Sequence, residues 1–181
     1  MKRAVTPLEQ VFDSILIRRS VPDDIWNSDE FQHQHGQLSV THSESSDSLF
    51  DSIGSTYDRT SKTFIRKSSD YTILNKIFTG TYLESVIDEV KEQASKDGVS
   101  IGRVRFLLLK PKTCYSWHWD PDEFRYHIPL RTNEQCLFVS GESVERMPDV
   151  GRLYKFDTKE YHTAINGSLN LVRYHLVFDT Y

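Results

Sequence analysis

The sequence predicts a mainly β protein with a jelly-roll (double-stranded β-helix, cupin-like) core and flanking helices. Three observations carry this. From Ile101 onward, short runs rich in Val, Leu, Ile, Phe and Tyr (IGRVRFLLLK, QCLFVS, GRLYKFD, NLVRYHLVFD) are separated by Gly, Pro, Asn or Asp turns. One strongly amphipathic helical segment precedes them, so strands and helix are segregated along the chain. The length of 181 residues suits one sizeable core and is short for two. Strand counting alone leaves an immunoglobulin-like or lipocalin-like topology open.

The elements follow in order. Residues 7–20, PLEQVFDSILIRRS, open with a proline suited to a first helical turn, so they predict a short helix or a helix leading into a strand. The stretch 27–62 is rich in Ser, His, Asp and Gly and reads as loops with one or two short strands. Ser39, Thr41 and His42 fall there as solvated-loop residues, with a lid or entrance loop as the functional reading. The clearest helix runs from Tyr82 to Ser95. Thr81 followed by Glu84 fits a capping box, and Leu83, Val86, Ile87, Val90 and Ala94 recur at helical spacing. Asp97–Gly98 ends it. Residues 1–181 therefore read as one domain, with an N-terminal helix and loop region at 1–100 and the most recognisable core at 101–181.

Composition narrows the function classes. Hydrophobic residues make up 38% of the chain and charged residues 27%, with a formal charge of −4 and scattered basic residues. That balance is globular and carries no nucleic-acid footprint. Cys114 and Cys136, the two cysteines, read as buried free thiols. The apolar runs fall far below the ~20 residues needed to cross a bilayer, and the start, MKRAVTP, shows no apolar export segment. The expectation is a cytoplasmic protein with no membrane partner and an undetermined oligomeric state.

The informative short segment is Trp117-His118-Trp119-Asp120. In a strand, alternate residues share a face, so His118 and Asp120 point together while Trp117 and Trp119 pack behind. His162, in KEYHTAIN, supplies a third ligand. Two histidines and a carboxylate on one side of a metal leave positions open, which suits iron(II) chemistry with an organic cosubstrate and O₂. Four protein ligands would instead point to structural zinc.

Arg173 lies in a run that reads as a buried or half-buried strand, where an unpaired guanidinium is costly. It is either a structural ion-pair partner or a planar fork for the distal carboxylate of 2-oxoglutarate. Arg125 and His127 alternate in FRYHIPLRTN. Facing inward, His127 would meet the cosubstrate's metal-side carboxylate and Arg125 an acidic group of the substrate. A core histidine bonded to backbone is the alternative for His127. Tyr115, Ser116 and Asn166 are further pocket candidates.

The ordered set HWD, RYHIPL-TN, GRLYKFD, HTAING and VRYHLVFD, spanning Arg103 to Asp179, resembles the aspartyl/asparaginyl β-hydroxylase family of 2-oxoglutarate- and Fe(II)-dependent dioxygenases. The resemblance implies a double-stranded β-helix in which His118, Asp120 and His162 hold Fe(II). It puts Arg173 and His127 on 2-oxoglutarate and Arg125 on the substrate. It implies O₂ as second cosubstrate, and release of succinate and CO₂ as a C–H bond is hydroxylated. Some members lack the acidic ligand, and Asp120 favours the full triad here. The N-terminal half carries little correspondence, so the substrate stays between a free amino-acid-like molecule and a peptidyl Asp or Asn. Two other readings remain: a cupin-like metal enzyme without 2-oxoglutarate, and a non-catalytic small-molecule-binding barrel.

Overall fold

The computed structural model describes residues 3–54, 57–58, 60–120 and 124–181. In chain order its strands begin with β1 Val5–Val11, β2 Gln37–Ser39, β3 Thr41–His42, β4 Tyr57–Asp58, β5 Thr63–Phe64 and β6 Ile73–Leu74. They continue with β7 Ile101–Leu109, β8 Thr113–Cys114, β9 Phe124–Arg131 and β10 Cys136–Ser140. The last are β11 Ser143–Glu145, β12 Arg152–Asp157, β13 His162–Asn166 and β14 Arg173–Thr180. The helices are α1 Ser14–Arg19, α2 Asp23–Trp26 and α3 Tyr82–Lys96, with a π-helical turn at Glu30–His35.

A major sheet in the order β1-β12-β9-β14-β7-β2 accompanies a minor sheet β11-β10-β13-β8, with antiparallel pairing throughout. This is the expected double-stranded β-helix. Period-two alternation assigns the two faces of the major sheet different work. On one face Phe124, Tyr126, Ile128 and Leu130 of β9 join Tyr174, Leu176 and Phe178 of β14 and Val104, Phe106 and Leu108 of β7. The helices cover that face: Leu83, Val86, Ile87, Val90 and Ala94 of α3 are all buried in the same core, each larger apolar side chain contributing about 1.5–3 kcal/mol. The opposite face presents Arg125 and His127 of β9, Arg173, His175 and Asp179 of β14, and Arg103 and Arg105 of β7. A smaller core of Val5, Phe138, Met147, Tyr154 and Phe156 lies between the sheets.

Two glycines are required by close backbone approach. A Cβ on Gly102 would lie 2.1 Å from the Ser68 carbonyl oxygen. At Gly151, φ is +84° and a Cβ would meet the Phe12 carbonyl oxygen at 2.2 Å, while the Phe12 N–H donates to Gly151 O at 2.8 Å.

Several expectations need correction. Residues 7–20 run strand then helix, the reverse of the predicted order. Pro7 sits in β1, an outer strand of the major sheet, where a missing N–H is harmless. The fixed φ of proline fits that edge as well as a first helical turn, which is why composition misleads. The Thr81–Glu84 capping box does not form. Glu84 accepts from the Gly80 N–H at 2.6 Å, one residue before the cap, the Thr81 hydroxyl turns back to Phe78 O, and the Leu83 N–H is capped by Ser20, just after α1, at 3.2 Å. Ser39, Thr41 and His42 are neither solvated nor a lid. All are buried, and the Thr41 hydroxyl accepts from the Val104 N–H at 2.8 Å, locking the segment onto β7. Both cysteines are free as expected, but Cys114 is exposed on the short strand β8. Among the described residues no helix is long and apolar enough to cross a membrane.

Candidate active site

His118 and His162 meet through backbone. The His118 N–H donates to His162 O at 3.0 Å and the His162 N–H to His118 O at 2.7 Å, bringing the rings to 4.4 Å between centroids. Asp120 is fastened to the same returning chain by its N–H on Thr158 O at 3.0 Å. The potential ligand atoms of His118, Asp120 and His162 all lie within 4.8 Å of one another.

The tautomers follow from the partners. His118 Nδ1 lies 2.7 Å from Ser116 O and His162 Nδ1 lies 2.8 Å from Glu160 O. A carbonyl only accepts, so each Nδ1 carries the proton and each Nε2 keeps its lone pair. Those lone pairs face Asp120 Oδ2, at 3.7 Å from His118 and 3.4 Å from His162. Three converging acceptors repel one another until a cation joins them, so this donor set fits a metal ion. Burial lowers the His118 pKa, keeping the ring available as a neutral ligand. Burial works to raise the Asp120 carboxyl, but the Arg125 guanidinium beside it outweighs burial and holds it well below the usual carboxylate range.

Arg125 bridges two carboxylates, with Nη1 2.7 Å from Asp120 Oδ2 and Nε 2.8 Å from Asp179 Oδ1. Asp179 is fully buried and also takes Arg103 Nε at 2.6 Å and Arg105 Nη2 at 3.2 Å. Desolvation opposes ionisation of Asp179, yet Arg103, Arg105 and Arg125 together hold its pKa far down. Burial and the like charge of Arg103 bring the Arg105 pKa down to about 10, against the opposing pull of Asp179.

Arg173 stands apart from this cluster. It is 1% exposed, its Nε and Nη1 have no hydrogen-bond partner among the described residues, and its guanidinium rests over the Phe138 ring at 4.8 Å. Burial lowers its pKa. Phe138 also borders His127 and His175, and Phe156 connects His127 to His162 with ring centroids at 5.8 and 5.0 Å. One aromatic wall thus runs from the histidine pair to the orphaned arginine.

The sequence pattern of the aspartyl/asparaginyl β-hydroxylases matches residues 81–181, more than half of the chain. The chain belongs to that family. The enzyme is accordingly a hydroxylase. No curated protein sequence matches it. Similar solved structures include a viral collagen prolyl hydroxylase from Paramecium Bursaria Chlorella virus-1, 8% identical, covering 98% of this chain and 90% of that one at a TM-score of 0.58. A prolyl-4-hydroxylase from Pseudomonas putida is 11% identical, covering 98% and 91% at a TM-score of 0.54. An oxidoreductase of the 2OG-Fe(II) oxygenase family from Burkholderia pseudomallei is 17% identical at a TM-score of 0.47, and the hydroxylase covers 60% of that chain, matched by 60% of its own. The likenesses above 0.5 are of fold.

In the hydroxylase, the structure brings His118, Asp120, His162 and Arg125 together, and lines His127 and Arg173 along the wall beyond them. It departs from the sequence reading at the tryptophans. Trp117 is 53% exposed, and Trp119 packs on Tyr57 at 5.4 Å rather than in the core. The segment pairs through one isolated bridge, so no sheet lies behind it to bury them. Ser116 supplies only its carbonyl, to His118. Asn166 is scaffold: its amide donates to Leu109 O and Leu171 O at 2.9 and 2.8 Å. Tyr115 is half-buried, and its charge interaction reaches Arg173. Arg103, Arg105, His175 and Asp179 escaped the sequence reading. The signal was present, because VRYHLVFD and GRVRF place all four on alternate positions.

Proposed function

We propose that the hydroxylase holds Fe(II) on His118, Asp120 and His162 and seats the distal carboxylate of 2-oxoglutarate on Arg173, to hydroxylate an unactivated C–H bond. The observation that carries this is Arg173: a buried guanidinium on β14 whose Nε and Nη1 have no partner among the described residues, joined to the histidine–carboxylate group by the Phe138–Phe156 wall. Leaving a charge so buried without an acceptor is unfavourable, and a dicarboxylate relieves it with a bidentate grip. His127, buried on the same face, contacts the cosubstrate between Arg173 and the metal. We also read residues 1–181 as one domain, since β1 and β2 are outer strands of the sheet that carries the site.

Each residue then has a physical task. His118 and His162 offer Nε2 because backbone carbonyls occupy Nδ1. Arg125 keeps Asp120 anionic, so it coordinates rather than acting as a base. Phe138 and Phe156 exclude water along the cosubstrate's length. Bound Fe(II) with 2-oxoglutarate and O₂ supplies the oxidising power, yielding succinate, CO₂ and the hydroxylated product. For the substrate, Arg125 with Arg103 and Arg105 outnumbers Asp120 and Asp179, and that surplus favours an acidic group. An amino-acid-like small molecule or a peptidyl Asp or Asn meets this requirement.

The test is anaerobic Fe(II) titration with and without 2-oxoglutarate, following the metal-to-keto-acid charge-transfer band, on wild type and Arg173→Ala. The reading expects one iron per chain, a visible band, and 2-oxoglutarate binding weakened by at least tenfold in the variant, the scale of one charged hydrogen-bond pair. Iron binding without the band, or equal binding in Arg173→Ala, would remove 2-oxoglutarate from the site.

A further inference from the structure

His175 has no place in the assignment above, yet it is 1% exposed and lies two residues from Arg173 on the same face of β14. Its Nδ1 is 3.4 Å from His127 Nδ1, and the Nε2 of each ring is buried without a partner among the described residues. We propose that His175 is a positioning residue that fixes the tautomer of His127, so that His127 turns an Nε2–H, rather than a lone pair, to the cosubstrate.

The argument is one of proton counting. Both rings are neutral, because burial and then the positive charge of Arg173 push their pKa values well below that of a free histidine. A neutral imidazole has one N–H and one lone pair. Two Nδ1 atoms facing each other at 3.4 Å bond only if one carries the proton and the other does not. Two protons there would clash, and two lone pairs would repel. The Nε2 atoms are therefore forced into opposite states, one a donor and the other an acceptor.

Two complementary states satisfy that rule, and the surroundings choose between them. An Nε2 lone pair is stabilised by an adjacent cation, and the strand register sets Arg173 nearer to His175, two residues along the same face of β14, than to His127, which pairs opposite Val177. His175 then keeps its proton on Nδ1 and donates it to His127, whose own proton moves to Nε2. His127 is left as a hydrogen-bond donor, the form that an anionic carboxylate requires. The purpose of this donor rests on the 2-oxoglutarate reading of the site; the tautomer pair itself does not.

The deciding experiment is therefore made on the metal-free protein: two-bond ¹H–¹⁵N correlation spectra of ¹⁵N-histidine-labelled wild type, His175→Leu and His175→Asn. Wild type should show His127 as the Nε2–H form and His175 as the Nδ1–H form. In His175→Leu the His127 pattern should become mixed, and His175→Asn, whose amide N–H can stand where ring Nδ1 stood, should restore it. In the charge-transfer titration, His175→Leu should weaken 2-oxoglutarate about tenfold with Fe(II) affinity unchanged, and Asn should recover most of that loss. Both histidines in one tautomer, a His127 Nδ1–H in wild type, or an unchanged His127 in His175→Leu would overturn the proposal. A wild type that shows the tautomer pair but no charge-transfer band would instead count against the 2-oxoglutarate reading, leaving the proton arrangement standing.

Discussion

Buried histidines that cannot accept a proton make a protein sensitive to mild acid. His127 and His175 have folded pKa values well below the ~6.5 they take when unfolded. Below that pH the unfolded chain binds more protons than the folded one, so stability is present above pH ~6.5 and is lost as pH falls toward the folded values. The expected slope is up to ~1.4 kcal/mol per pH unit for each histidine. Urea unfolding of the metal-free protein between pH 7.5 and 5.5 should show it, and His175→Leu should reduce the slope; equal slopes would mean that His175 is protonated in the fold. At this scale the sequence was legible where chemistry and period agreed. His118, Asp120 and His162 carry ligand types at strand-like spacing, and Arg173 is a charge inside an apolar run. Asp179 and His175 obey the same period two from Arg173, but their importance depends on neighbours from β7 and β9 that no local pattern reveals.

Secondary elements are secured by contacts the local sequence only partly announces. The apolar stripe of α3 could be read residue by residue, because one helix face meets one sheet. Its cap could not, since Ser20 is 63 positions away from Leu83. Ser20→Ala should cost about 1 kcal/mol, typical of a lost N-terminal cap. Gly102→Ala should cost more, because its Cβ would meet the Ser68 backbone rather than a movable side chain. Denaturant midpoints of the two variants check the order, and a harmless Gly102→Ala would mean that the Ser68–Asp70 turn gives way easily. The strands of 27–62 were the least legible. They are two or three residues long, and pairing of β2 with β7 and of β3 with β6 decides their existence rather than propensity.

Across the molecule, one carboxylate joins parts far apart in sequence. Asp179 holds Arg103, which also donates to Ser52 O and Gly54 O at 3.2 and 2.9 Å, and Arg105, which reaches Gln37 at 2.9 Å. It also holds Arg125, and through it Asp120. Asp179→Asn should leave three guanidiniums short of charge, destabilise the fold by roughly 3–5 kcal/mol and weaken Fe(II) binding as Arg125 shifts. Thermal unfolding and iron titration measure the two effects, and a loss of stability with iron affinity intact would separate the cluster from the metal group. The alternation along β14 has a consequence for errors in assembly. Tyr174, Leu176 and Phe178 fill the core while Arg173, His175 and Asp179 lie on the opposite, buried polar face, so a slip of one residue would drive three ionisable groups into the apolar core and three hydrophobes among buried charges. A misthreaded form of this chain is therefore heavily disfavoured. Selection of the right register is written into the strand itself.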